Sequence, residues 1–272
     1  MLKKFLYAVC VLCIAAVIAY YVYEVAFLSV PIEKNLFRAI AIIAGLVLTM
    51  VKLATGTGGR SRSLAFYEKM YAEETEGAFE QSPSLRKKLF RGIRFYQEGK
   101  LSKALKIFSS LREKCEERAD FRAVYLFHAL SLTAANNHYG AIDIYEKAIA
   151  LVPDYGRFHS NLGYAYTQVK NTEKALESYE RALELNPRHA PAHSNLANLY
   201  FEQSRFDEAI VYALNALEIE PSFYQASTLL AIIYSIKGDE ENAKKYFHMA
   251  ISNGQNPKDL KNAIDYYKTS GI

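Results

Sequence analysis

Few side chains in this 272-residue sequence have the type and spacing that chemistry needs. His189 and His193 are four apart, which on a helix puts two imidazoles on one face for a metal. Pro191 lies between them, however, and no carboxylate or thiol completes a ligand set. Cys10 and Cys13 sit in an apolar run and Cys115 stands alone, so neither a disulfide framework nor a four-thiolate zinc site can be built. Gly56, Gly58 and Gly59 beside Arg60 and Arg62 have the composition of a phosphate loop, without its Gly-Lys-Ser/Thr ending or a preceding strand. The acidic pairs Glu116-Glu117, Asp207-Glu208 and Glu240-Glu241 fall at turns or helix starts, where carboxylates complement the helix dipole. No Gly-x-Ser-x-Gly or His-Glu-x-x-His pattern occurs. The expectation is a protein that is not an enzyme and holds neither a cofactor nor a metal.

What must position the remaining polar groups is a repeat. Pro153, Pro187 and Pro221 are spaced by 34, and the residues ahead of them match in register. AIDIYEKA at 141–148 aligns with ALESYERA at 175–182, then with 209–216 and 243–250; HSNLGYAY at 159–166 aligns with HSNLANLY at 193–200. Small residues recur where two helices must cross, at Gly92, Ala129, Gly163, Ala197 and Ala231 and at Ala104, Ala141, Ala175, Ala209 and Ala243. Aromatic and aliphatic residues such as Tyr145, Tyr166, Tyr179 and Tyr200 fill the space between, and each proline stops a second helix.

On these residues the chain resembles the tetratricopeptide repeat (TPR) family. The resemblance covers about 85–255 as five helix-turn-helix units near 85–121, 122–155, 156–189, 190–223 and 224–257, with a capping helix and tail over 258–272. The first unit departs most, with extra residues at Cys115 to Asp120 and no proline, and Arg91 and His128 replace the usual leucine. The fold expected is all-α: two N-terminal transmembrane helices, then an α-solenoid. The resemblance implies a groove lined by first-helix residues that binds peptide segments of partner proteins. Register assigns to it Leu89, Phe90 and Ile93, then Leu126, Phe127 and Leu130, then Arg157, Ser160, Asn161 and Tyr164, then Ser194, Asn195 and Asn198, and last Gln225, Thr228 and Ile232. Asn161 and Asn195 offer donor and acceptor to an extended backbone; a merely solvated polar face is the alternative. The lysine, asparagine and arginine clamp of chaperone-binding members is absent, since Leu126, Leu130, Asn161, Pro191 and Asn195 occupy the corresponding positions.

The N-terminal quarter reads as a membrane anchor over 1–54. Phe5 to Tyr23 carries no charge, close to the roughly 20 apolar residues a spanning helix needs. Leu36 to Ala54 forms a second span, with Arg38 and Lys52 near its ends, where their long side chains reach the headgroups. Lys3, Lys4 and Val17-Ile18-Ala19 also fit a cleaved signal peptide, although the apolar character runs on through Tyr23. The formal charge of +4 splits into +5 over 1–63 (seven basic, two acidic residues) and −1 over 64–272 (26 basic, 27 acidic). Basic residues before the first span and after the second place both ends in the cytoplasm, so the expected location is an integral protein of the cell membrane. Residues 55–84 read as a juxtamembrane linker ending in a weakly amphipathic segment. A hydrophobic fraction of 51% excludes a disordered chain, and the balanced charge of 64–272 excludes a nucleic-acid face. Function is expected to be that of a membrane-anchored protein-interaction scaffold, with protein or peptide partners and the lipid bilayer. A self-assembling structural component, formed by homo-oligomerisation, is the alternative.

Overall fold

The computed structural model describes residues 64–270, and their regular structure is entirely helical. The expected spans at 5–23 and 36–54 and the linker at 55–63 lie outside the described residues. Among the described residues no helix is long and apolar enough to cross a membrane. Two short helices lead, α1 (Leu64–Met70) and α2 (Ala72–Thr75). Five helix pairs follow: α3 (Pro83–Gln97) with α4 (Leu101–Arg112), α5 (Arg118–Ala134) with α6 (His138–Leu151), α7 (Gly156–Gln168) with α8 (Thr172–Leu185), α9 (Ala190–Glu202) with α10 (Phe206–Ile219), and α11 (Tyr224–Lys237) with α12 (Glu240–Ser252). Helix α13 (Pro257–Ser270) ends the chain. Each helix from α3 to α12 packs on the next, and α3 meets α5, α7 meets α9, and α9 meets α11. The five first helices therefore share one face.

The repeat is physically legible in α8. Ala175, Tyr179 and Ala182, spaced by four and three, are buried on one side. The Asn171 side chain accepts a hydrogen bond from the Lys174 amide at 3.2 Å and so caps the first turn. Asn137 and Asp239 do the same for α6 and α12. Proline sets the other end. A residue before proline is pushed out of the helical region. Val152, Asn186 and Glu220 accordingly have ψ of 75°, 91° and 91° and close α6, α8 and α10.

Packing within each pair depends on the small residues. A Cβ on Gly163 would stand 2.7 Å from the Tyr179 ring, and one on Gly92 would stand 2.8 Å from the Phe108 ring. Ala129, Ala197 and Ala231, with Ala104, Ala141, Ala175 and Ala209, are likewise fully buried. The apolar core falls into two clusters. One, around Phe90, Phe108 and Phe127, takes in Tyr67, Ala78 and Phe79; the other runs from Leu126 to Leu260.

Two elements flank the repeats. Residues 64–82, expected as weakly amphipathic turns, form α1 and α2 and pack through Tyr67, Ala78 and Phe79, which supply a buried apolar edge. Helix α13 packs on α11, the first helix of the last unit, and buries Leu260, with Tyr267 against the Phe201 ring of α9 (centroids 5.0 Å apart).

Candidate protein-interaction groove

The face shared by the first helices has two parts. Its N-terminal part is apolar and covered. Phe90, Ile93 and Phe127 are buried, as are Leu89 and Leu126, and α1 and α2 lie against α3 and α5. The Tyr71 ring meets the Phe127 ring edge-on at 4.9 Å, and its hydroxyl accepts from the Gln97 amide. Arg157, at the start of α7, pairs with the buried Glu74 carboxylate. Arg122 donates to the carbonyls of Glu73 (3.3 Å) and Glu76 (3.0 Å), and Arg86 donates to that of Ala78 at 3.1 Å.

The C-terminal part is open and polar. Tyr164 and Tyr224 are exposed large rings, Asn198 and Gln225 are exposed, and Asn161, Asn195 and Thr228 are half-buried. Asn198, Gln225 and Thr228 meet in a concavity of about 350 Å³, which Tyr224, Ile232, Gln255 and Tyr267 also line. The Thr228 hydroxyl is buried there without a hydrogen-bond partner. Such a surface offers amide donors and acceptors between aromatic rings, which suits a peptide backbone with alternating side chains.

Ser160 and Ser194 are placed differently from their assignment to the groove. Each is only 2% exposed. They share a repeat position with the buried Leu89 and Leu126 and face the neighbouring helices, whereas Thr228, at the same position in the last unit, lines the concavity. The assigned residues thus separate into Arg157, tied to the chain's own segment, the buried pair Ser160 and Ser194, and the open set from Asn161 to Thr228. Sequence reasoning missed Tyr224, Gln255 and Tyr267. Tyr267 carried a signal, as an aromatic on a terminal helix with otherwise polar flanks.

Of the residues first weighed for chemistry, Cys10, Cys13 and the glycines and arginines of 56–62 lie outside the described residues, and the histidines and Cys115 lie within them. His193 and His159 occupy one repeat position, and each Nε2 lies by the carbonyl of a turn proline, Pro187 at 2.9 Å and Pro153 at 3.0 Å. Burial pushes His189 down to about 4, helped by the Arg157 guanidinium and by His193. Burial also pushes the Cys115 thiol up to about 12, with the nearby Asp120 carboxylate adding to the shift, so the nucleophilic thiolate is disfavoured. Among the described residues no group of three or more His, Cys, Asp or Glu side chains could hold a metal ion.

Comparison with known proteins agrees with this geometry. The family model described as Tetratricopeptide repeat matches residues 156–189 and 190–223, and a second model of that description matches 224–252. A thermophilic TPR protein of Thermus thermophilus superposes with a TM-score of 0.55 at 21% identity, covering 68% of this chain and 98% of that one. A tetratricopeptide repeat protein from Parabacteroides merdae gives 0.55 at 21% identity, covering 70% and 75%. The crystal structure of MamA gives 0.50 at 22% identity, covering 60% and 93%. Curated protein sequences give no match. The likeness to these structures is one of fold. Residues 156–252 match the tetratricopeptide repeat models in three successive units, and the described residues have the all-α solenoid fold of these structures.

Proposed function

We propose that the chain is a membrane-anchored scaffold, not an enzyme, whose open repeat face captures peptide segments of partner proteins. One observation carries this reading. A polar, aromatic-edged stretch of the inner face runs from Asn161 and Tyr164 to Gln225 and Thr228, with Tyr164 41% exposed and Tyr224 39% exposed. Amides and rings on one continuous face are what a peptide-binding surface needs. The anchor rests on the two apolar runs and on the excess of +5 in residues 1–63. With both flanks basic, the repeats lie in the cytoplasm, close to the bilayer.

Replacing Asn161, Tyr164, Asn195 and Asn198 together in the full chain should abolish capture of peptide partners, selected by display against the detergent-solubilised protein, and leave helicity unchanged. Capture that survives this replacement would rule the face out. A reporter fused to the C-terminus should give a cytoplasmic signal, and an extracytoplasmic signal would overturn the topology.

A further inference from the structure

One segment of the chain is held by three successive repeat units. Tyr67 is buried against the first unit's cluster of Phe90 and Ile93, and Glu68 pairs with Arg86 of α3 at 3.3 Å. Four residues on, Tyr71 meets Phe127 of the second unit. Three further, Glu74 reaches Arg157 of the third. The chain then turns back, and the Phe79 amide donates to the buried Asp120 carboxylate at 2.6 Å. A segment that touches α3, α5 and α7 in that order crosses the first helices, which is the path a bound peptide takes along such a face.

We propose that the inner face of the first three units is a docking site for acidic, tyrosine-bearing helical segments, and that residues 64–80 are its resident occupant, which a partner of the same chemistry must displace. The proposal rests on the reading of the inner face as a peptide-binding surface. It extends that reading to the covered part and names the ligand's character. Three features carry it.

The first is charge complementarity. Arg86 and Arg157 pair with Glu68 and Glu74, and Arg122 takes two backbone carbonyls between them. A row of arginines facing an occupant selects for acid and against base. The second is the manner of recognition, in which side chains of the solenoid read main-chain carbonyls and two carboxylates, with a Tyr-x3-Tyr-x2-Glu spacing setting the register. The third is that the occupant has little structure of its own. Helix α1 has seven residues and α2 four, and no side chain caps α2. Helices this short do not persist in water, so their order depends on the docked state. Docked and released are therefore two discrete states of one element, and a competing segment biases the second.

The test uses the full chain in detergent and a fluorescent peptide with the sequence of residues 64–82. In the unaltered chain the peptide meets a covalent competitor at an effective concentration of roughly millimolar, so it binds poorly. Tyr71→Ala with Glu74→Ala should eject the resident segment and raise peptide affinity at least tenfold. Adding Arg157→Glu should remove that binding, and a peptide carrying Glu74→Arg should restore it. An ejected variant that keeps its helicity and still ignores the peptide overturns the proposal. If that variant fails to fold, hydrogen exchange on the unaltered chain decides. Amides of residues 64–80 should exchange at least tenfold faster than those of α5, whereas equal rates would make the segment a fixed part of the domain. The Asn161, Tyr164, Asn195 and Asn198 variant should bind this peptide normally, so failure at the open face and failure at the covered one are separable.

Discussion

At one repeat position the inner face carries Phe90 and Phe127 in the first two units and Asn161 and Asn195 in the next two. The phenylalanines are buried and the asparagines are half-buried. The difference follows from what lies over them. Residues 64–80 cover the first pair, so solvent places no limit on apolar area there, and an uncovered row of aromatics would be an aggregation patch. The second pair stays wet and must be polar. The family models match 156–252, which contains the open stretch of the inner face. Helical scaffolding is common to both halves, and ligand chemistry belongs to each separately.

The largest effect that would break this comparison is at Phe127. Its ring lies within 4.9 to 6.3 Å of those of Tyr71, Tyr96 and Phe108. Phe127→Ala should cost about 3–5 kcal/mol in urea unfolding of the full chain, through lost burial and the cavity left behind. The equivalent Asn195→Ala should cost no more than about 0.5 kcal/mol. Equal losses would mean that the two halves are packed alike.

A smaller effect is expected at the ion pair. Arg157 holds a Glu74 side chain that is only 10% exposed, while Arg157 itself is 38% exposed. Arg157→Ala strands that carboxylate and should cost about 1–3 kcal/mol. Gln225→Ala, at the same repeat position on the open side, should be close to neutral in the same unfolding assay. Because Arg157 is partly solvated, Glu74→Gln, which keeps the shape and removes the charge, should cost less than Arg157→Ala.

Acid should act on both halves, through a histidine that burial shifts in each. His128 is buried where the third to fifth units have Leu162, Leu196 and Leu230, and burial, aided by the Arg112 guanidinium, pushes it down to about 4. An unfolded histidine titrates near 6.5. Between these values the unfolded chain binds a proton that the folded chain refuses. Stability is therefore full above about 6.5 and falls as pH drops toward about 4, by roughly 1–2 kcal/mol from this site. His128→Leu should flatten part of the pH slope of the melting temperature. Part of the slope that remains comes from His189 in the open half, also held near about 4. An unchanged slope would show that His128 is more solvated than its packing indicates.

Much of this was legible in the sequence because repetition averages out local ambiguity. The 34-residue period, the proline stops and the small residues at helix crossings each follow from one physical requirement met several times. The covered segment was not legible, because it occurs once. Tyr67, Tyr71 and Glu74 read as a weakly amphipathic stretch, and nothing local marks their partners Phe127 and Arg157, the latter 83 residues away from Glu74. The groove was legible in register and less so in exposure. Ser160 and Ser194 look like ligand-facing polar residues, yet a serine hydroxyl is small enough to sit between helices.

One repeat feature was hidden by the residues that fill it. Between the two helices of every unit stands a residue with positive φ: Gly99 (69°), Asn136 (58°), Lys170 (61°), Ser204 (59°) and Gly238 (75°). Only two are glycine, so the turn has no common sequence mark, although its geometry is constant. A side chain in this left-handed region costs about 1–2 kcal/mol relative to the right-handed one. Glycine removes most of that cost and loses part of the gain to its freer unfolded chain. Lys170→Gly and Ser204→Gly should therefore each stabilise the protein by about 0.5–1 kcal/mol in urea unfolding. Gly238→Ala, where no atom lies within 4 Å of the added Cβ, should destabilise it by a similar amount through backbone strain alone. Because this turn is common to covered and open units, Gly99→Ala in the first unit should match Gly238→Ala in the fifth, since neither added Cβ has an atom within 4 Å. A disparity between the two would mean that the halves differ in scaffold as well as in surface.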